Sequence, residues 1–148
     1  HSLSKRSNLA GLRVGFYAGD PELVSYLREV RKHQGFMVPG PAQAAGAAAL
    51  DDQTHVDLQR ERYRRRLGAL VEVFAALGIP ASVPEGAFYL WVAAPDGDAW
   101  TLIRRLAGEI GLVACPGGFF GEQGAGHVRV AAVATDDRID LLLKRAGC

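Results

Sequence analysis

Ser2-Leu3-Ser4-Lys5-Arg6-Ser7-Asn8-Leu9-Ala10-Gly11-Leu12-Arg13-Val14-Gly15 is the stretch on which the reading of this chain turns. It puts one lysine, Lys5, in a polar turn with Ser2 and Ser4, and an arginine, Arg13, further on, just inside an apolar run that reads as a strand. A lysine that acts covalently has to be available as a free amine or be engaged in an imine. A phosphate dianion calls for hydroxyl donors and a forked guanidinium. Residue types for both demands lie within this one segment. A solvated basic turn at Lys5-Arg6, with Arg13 as a surface strand residue, accounts for the same residues equally well, so the chemistry alone leaves both readings open.

Around this stretch lies a chain of 148 residues, 49% hydrophobic and 22% charged, with a formal net charge of +1. That length supports a core that buries roughly two-thirds of the unfolded surface. Balanced charge excludes a surface built generally to seek polyanions, and the mixed composition excludes disordered and low-complexity classes. Apolar runs such as Ala87–Ala94 are too short to span a bilayer, and no basic segment followed by an apolar one opens the chain, so no membrane partner is expected. Two cysteines, Cys115 and Cys148, are too few for a disulfide framework and point to a reducing, cytoplasmic setting. The single methionine is Met37 and the first residue is His1, a pattern expected of a piece of a longer polypeptide.

Leu12–Ala18 reads as a strand ended by Gly19-Asp20-Pro21, where Pro starts a helix carrying Leu23, Leu27 and Val30 up to Gln34-Gly35. Val38-Pro39-Gly40-Pro41 is a rigid turn, and Ala42–Leu50 is an alanine-rich helix able to pack closely. The longest helical signal runs from Gln53 to Leu77, with Val56, Tyr63, Leu67, Leu70, Phe74 and Leu77 on one stripe, a spine between two bodies. Ala87–Ala94 reads as a strand buried on both faces, and Asp96-Gly97-Asp98 caps a helix over Trp100–Ile110 with Leu102, Ile103 and Leu106 inward. Cys115–Gly126 reads as a glycine-rich loop, His127–Val133 as a strand, and Thr135-Asp136-Asp137 as the cap of a last helix. Alternating helices and strands give an α/β or α+β class.

The opening stretch is similar to the lysine-bearing signature of the class I aminotransferases, which are fold type I pyridoxal 5'-phosphate enzymes. Ser2, Leu3, Ser4, Lys5, Asn8, Leu9, Gly11, Arg13, Val14 and Gly15 fill each fixed place of that pattern. Later segments agree in order. Gly40-Pro41-Ala42-Gln43-Ala44-Ala45 resembles the family's turn into a helix near the subunit interface, and Pro84-Glu85-Gly86-Ala87-Phe88-Tyr89 its entry to a small-domain strand. Pro116-Gly117-Gly118-Phe119-Phe120-Gly121 resembles a family loop, and His127-Val128-Arg129-Val130 the strand whose arginine clamps the substrate α-carboxylate.

The resemblance covers Ser2 to Arg145 but only the C-terminal part of the family's length. It implies the end of a large cofactor domain over residues 1–60 and a small C-terminal domain over 61–148. Lys5 is then the catalytic residue, bound to pyridoxal 5'-phosphate and shuttling the substrate proton. Ser2 and Arg13, with Ser4 assisting, hold the cofactor phosphate, and Arg129 binds the substrate. The implied activity is transamination between an amino acid and an oxo acid in a cytoplasmic homodimer. His1–Gly11 looks most like the bacterial succinyldiaminopimelate aminotransferases of lysine biosynthesis, which use glutamate and N-succinyl-2-amino-6-oxopimelate. An aspartate or aromatic aminotransferase, or a non-catalytic split module, stands as the alternative. The family's ring-stacking aromatic residue and its Asn, Asp and Tyr at the ring all precede the lysine, so this piece by itself is expected to be inactive and to hold the cofactor weakly.

Other features read more plainly. Arg60, Arg62, Arg64, Arg65 and Arg66 with Glu61 interleaved form a solvated helix face rather than a nucleic-acid surface. Gly121, Gly124 and Gly126 form a connecting loop rather than a phosphate cradle. His1, His33, His55 and His127 lack ligand spacing, so no metal is expected. Cys115 reads as a half-buried structural thiol, and Phe88, Tyr89 and Trp91 as core residues, one of them a candidate for lining the substrate cavity.

Overall fold

Asp20 and Pro21 start the first long helix for purely local reasons. The Asp20 carboxylate accepts from the Glu22 and Leu23 N–H groups, both at 3.0 Å, and Pro21 has no N–H to lose at that position. In the computed structural model, which describes residues 1–148, two compact units are distinguished, His1–Gln59 and Arg60–Cys148.

The first unit contains α1 (Leu3–Arg6), α2 (Pro21–His33), α3 (Gly40–Asp51) and the start of α4 (Thr54–Ala76). Leu12–Ala18 is not a strand. Its only ladder contact is an isolated antiparallel bridge between Ser2 and Gly15, flanked by Leu3 N–H to Val14 O (3.1 Å) and Phe16 N–H to His1 O (3.0 Å). A strand exists only by pairing, and here the single available partner turns into α1 after Ser2. Residues 10–12 instead form a 3-10 turn, and Arg13 follows it in the left-handed region at φ 55°. The turn expected around Lys5 is the short helix α1. The expected apolar stripe of α2 is left largely uncovered in this unit, with Leu23 and Leu27 exposed. In α3 close packing is real: a Cβ at Gly46 would stand 2.9 Å from Val14 Cγ1 and 3.1 Å from Leu3 Cδ1, so glycine lets α3 lie against both.

The second unit holds the rest of α4, β1 (Tyr89–Ala93), α5 (Ala99–Ile110), β2 (Cys115–Pro116), β3 (His127–Ala131) and α6 (Asp136–Ala146). Its sheet has the order β1-β3-β2, antiparallel throughout, with Trp91 opposite Arg129 and Cys115 opposite Arg129 on the other side. Leu90 and Val92 of β1 and Val128 and Val130 of β3 face the core with Leu67, Leu70, Val73 and Phe74 of α4, Leu102, Leu106 and Ile110 of α5, and Ile139 and Leu142 of α6. β1 is therefore covered on one face only: its alternate residues Trp91 and Ala93 are exposed, and Trp91 is not a core residue. The reason is topological, because an antiparallel three-stranded sheet with all its helices on one side leaves the other side open. The segment expected to be all loop between 115 and 126 contains the two-residue strand β2 and two 3-10 turns, Gly117–Phe120 and Glu122–Gly124. No helix is long and apolar enough to cross a membrane.

Carboxylates set the ends of several helices. The Thr101 hydroxyl and the Trp100 N–H hold the Asp98 carboxyl below 3.8, and the Arg66 guanidinium, 2.5 Å from Asp136, does the same there. In the first unit His55, 2.7 Å away, and the Thr54 N–H hold Asp52 down as well. A lowered folded-state pKa gives stability that is present above the unfolded value and is lost as pH falls through the folded one. Thermal midpoints are thus expected to be insensitive to these groups from pH 5 to 8 and to drop below about pH 4. Asp98→Asn, which keeps a capping oxygen without the charge, is expected to flatten that acid limb; an unchanged limb would count against Asp98 as a contributor.

Candidate functional site

The side chains singled out around Lys5 are organised by how residues 1–16 close on themselves. Leu3 is buried and anchors α1, while the His1 main-chain nitrogen donates to Phe16 O at 2.7 Å and the His1 ring stacks on Phe16. Gly15 is required by this closure: a Cβ there would stand 2.6 Å from the His1 carbonyl oxygen. Ser2 is consequently fixed beside Gly15 at the N-cap of α1, and Ser4 and Lys5 follow on the same turn.

Ser2, Ser4 and Arg13 line one open cleft of about 820 Å³, together with Gly15, Arg28 and Lys32. Two hydroxyls and a guanidinium on one cleft are the donor set a phosphate dianion takes; α2 adds Arg28, Arg31 and Lys32, offset in part by Glu29, which pairs with Arg28 and Lys32 at 3.5 Å. The Arg13 guanidinium donates to Ala10 O at 2.9 Å, which folds it against its own 3-10 turn. Lys5 is exposed and is not one of the cleft walls; it directly follows Ser4.

Arg6, beside Lys5, has a different task that its sequence context did not announce. Its guanidinium donates to Ala49 O at 2.7 Å, Ser7 Oγ at 3.2 Å and Gln53 Oε1 at 3.0 Å, closing the C-terminal end of α3. The last carbonyls of a helix have no intrahelical donor, so a cation there satisfies them and complements the helix dipole. Arg6→Ala is expected to cost about 1–3 kcal/mol of stability, readable as a lower denaturant midpoint with an unchanged slope. A neutral outcome would mean that these bonds are exchanged with water at no loss.

Arg129, the other singled-out residue, lies in the second unit at the centre of β3, half-buried on the sheet face opposite the core. Its guanidinium carbon is 4.5 Å from the Tyr89 ring centroid and 4.3 Å from that of Phe120. Its neighbours on this face are aromatic rings. Of the two rings, Tyr89 is one of the three aromatic residues of which one is a sequence candidate for lining the cavity, whereas Phe120 is not singled out by the sequence. The alternation of β1 puts Tyr89 and Trp91 on the same face as Arg129.

Comparison with known proteins places the chain in a family. The profile described as "Aminotransferase class I and II" matches residues 1–145. The 4-dedimethylamino-4-oxo-anhydrotetracycline transaminase OxyQ of Streptomyces rimosus is 46% identical over 94% of this chain and 38% of its own length. The LL-diaminopimelate aminotransferase of Aquifex aeolicus is 34% identical over 94% of this chain and 36% of its own length. Among solved structures, an aminotransferase from Neisseria meningitidis superposes with a TM-score of 0.82 at 36% identity, over 98% of this chain and 37% of that one. The chain spans a little over a third of the length of the curated relatives it matches. With its fold type I architecture and a match that runs nearly end to end, the chain belongs to the class I and II aminotransferases, the family whose members use pyridoxal phosphate.

Proposed function

We propose that the protein carrying this chain is a pyridoxal phosphate-dependent aminotransferase, with residues 1–60 at the end of its large domain and 61–148 as its small domain. The observation that carries the reading is that Ser2, Ser4 and Arg13 share one cleft while Lys5 follows Ser4 on the same helical turn. This donor set fits a phosphate-bearing cofactor. Ser2 and Arg13, with Ser4 assisting, hold the phosphate, and Lys5 Nζ holds the cofactor and moves the proton on and off the substrate α-carbon. Arg129 pairs edge-on with the α-carboxylate common to donor and acceptor. Bound there, the cofactor supplies the electron sink for the charge left when that proton departs.

Glutamate is the amino donor in this reading and N-succinyl-2-amino-6-oxopimelate the acceptor, in a cytoplasmic homodimer serving lysine biosynthesis. The likeness of His1–Gly11 to succinyldiaminopimelate aminotransferases and the diaminopimelate aminotransferase among the relatives support it. The higher identity to the Streptomyces transaminase favours a second reading, in which the acceptor is a 4-oxo group on a fused-ring molecule. Borohydride reduction of the full-length protein followed by peptide mapping is expected to put the cofactor adduct on Lys5. An adduct on Lys32 or Lys144 would overturn the assignment. Amino transfer from glutamate, measured with the oxopimelate and with a fused-ring ketone, separates the two acceptors.

A further inference from the structure

The outer face of the sheet in the second unit is aromatic, and its parts interlock around Arg129. Tyr89 reaches the guanidinium from β1, and Phe120 reaches it from the 3-10 turn that follows β2, so the rings come from the two opposite neighbours of β3. Phe120 is itself met edge-on by Trp91, with centroids 5.9 Å apart and planes at 69°. Trp91 in turn stacks on His127 at 5.4 Å and 13°, and its Cη2 lies over Gly117 and Gly124. A Cβ on Gly117 would run into the carbonyl oxygens of Gly124 and His127 and stand 2.7 Å from Trp91; one on Gly124 would stand 3.2 Å from Trp91. The two glycines therefore let the 117–124 turns close beneath Trp91, and that closure sets where Phe120 sits.

We propose that Tyr89 and Phe120 are positioning residues that hold the Arg129 guanidinium by its flat faces and leave its in-plane N–H edge for a carboxylate, with Trp91 bracing the turn that carries Phe120. The proposal rests on the reading of Arg129 given above. A guanidinium attracts aromatic rings to its faces, whereas all its donors lie in its plane. Two rings thus restrict the rotation of a long, flexible side chain without occupying a single donor. Bidentate pairing with a carboxylate needs that restriction, because both parallel hydrogen bonds form only from one orientation. The geometry favours an anionic planar group arriving edge-on, and it disfavours a spherical anion, which gains nothing from the fork.

The test uses the full-length enzyme and three variants. Phe120→Leu keeps apolar bulk but removes the π face, Phe120→Tyr restores the ring, and Arg129→Lys removes the fork. Phe120→Leu is expected to raise KM for glutamate and for the oxo acid alike, by about three- to thirtyfold, with kcat changed by less than about twofold. Phe120→Tyr is expected to behave as the unaltered enzyme. A second readout does not depend on turnover: the Arg129 Nε–H proton resonance, assigned by its loss in Arg129→Lys, is expected upfield because of the two ring currents. Phe120→Leu moves it toward the position of an exposed arginine. An unmoved resonance with unchanged KM in Phe120→Leu overturns the positioning role, as does a failure of Phe120→Tyr to restore both. The failure of the underlying reading looks different: Arg129→Lys itself then leaves KM unchanged for every substrate, while the resonance in Phe120→Leu still reports on the rings.

Discussion

Lys5→Ala in the full-length protein is expected to lower kcat/KM by about 10²–10⁴-fold for donor and acceptor together, with no comparable loss of stability. The loss is common to both half-reactions because one amine both holds the cofactor and carries the substrate proton. Stability is spared because the side chain is exposed and the anchor of α1 is its neighbour Leu3, which is buried. Lys5→Arg sharpens the test. It retains the positive charge but supplies a group that is not deprotonated in proteins and cannot act as a free amine, so the same loss is expected. If Lys5→Arg keeps activity within about tenfold, Lys5 contributes only charge and the nucleophile is elsewhere. The adjacent Arg6 provides the internal contrast. Its removal acts on the α3 end and on stability, so two consecutive basic residues that look alike in sequence are expected to fail in opposite ways.

That contrast shows what a single sequence can carry. Helix ends written in local chemistry were legible: Asp20-Pro21, Asp98 and the glycine that follows α2 all stand where capping demands, with Gly35 at positive φ. The core stripe of α4 was legible as well, because helical periodicity alone puts Leu67, Leu70 and Phe74 on one side. Leu12–Ala18 was misread because alternation states only that a segment could pair; whether it does depends on a neighbour, and here Ser2 supplies one bridge. The apolar run at Ala87–Ala94 was misread for a related reason. Large aromatic residues on an open sheet face look like core when their partners are unknown, and Trp91 covers glycine turns rather than filling an interior. The candidate site was legible as residue types around Lys5 and as one arginine on β3. Of its supporting contacts, the Arg6 clasp and the Phe120 ring over Arg129 depend on tertiary closure and have no local signature, whereas the alternation of β1 marks Tyr89 for that face.

Phe74→Ala is expected to cost about 3–5 kcal/mol, the largest stability effect of any single substitution considered. Phe74 has no exposed surface and sits in the cluster that α4 shares with the sheet and with α5 and α6, where Ile79, Leu106 and Ile110 are equally inaccessible. Its neighbours cannot all close the space a phenyl ring leaves, because they are held by three helices and two strands at once, so a cavity term adds to the lost transfer energy. The magnitude is decisive against the unit it serves. A compact unit of roughly 90 residues is stable by about 4–13 kcal/mol, so this loss removes a third of the upper value and nearly all of the lower one. Phe74→Leu, which keeps most of the volume, is expected to cost less than about 1.5 kcal/mol. Both tryptophans of the chain, Trp91 and Trp100, lie in this unit, so denaturant unfolding followed by their fluorescence reads it directly. The sheet face that carries Arg129 is the reverse side of the one Phe74 supports. Unfolding of this core should therefore release Arg129 from its flanking rings in the same transition, and a separate, earlier loss of the aromatic face would show that the site is held by its own contacts rather than by the core beneath it.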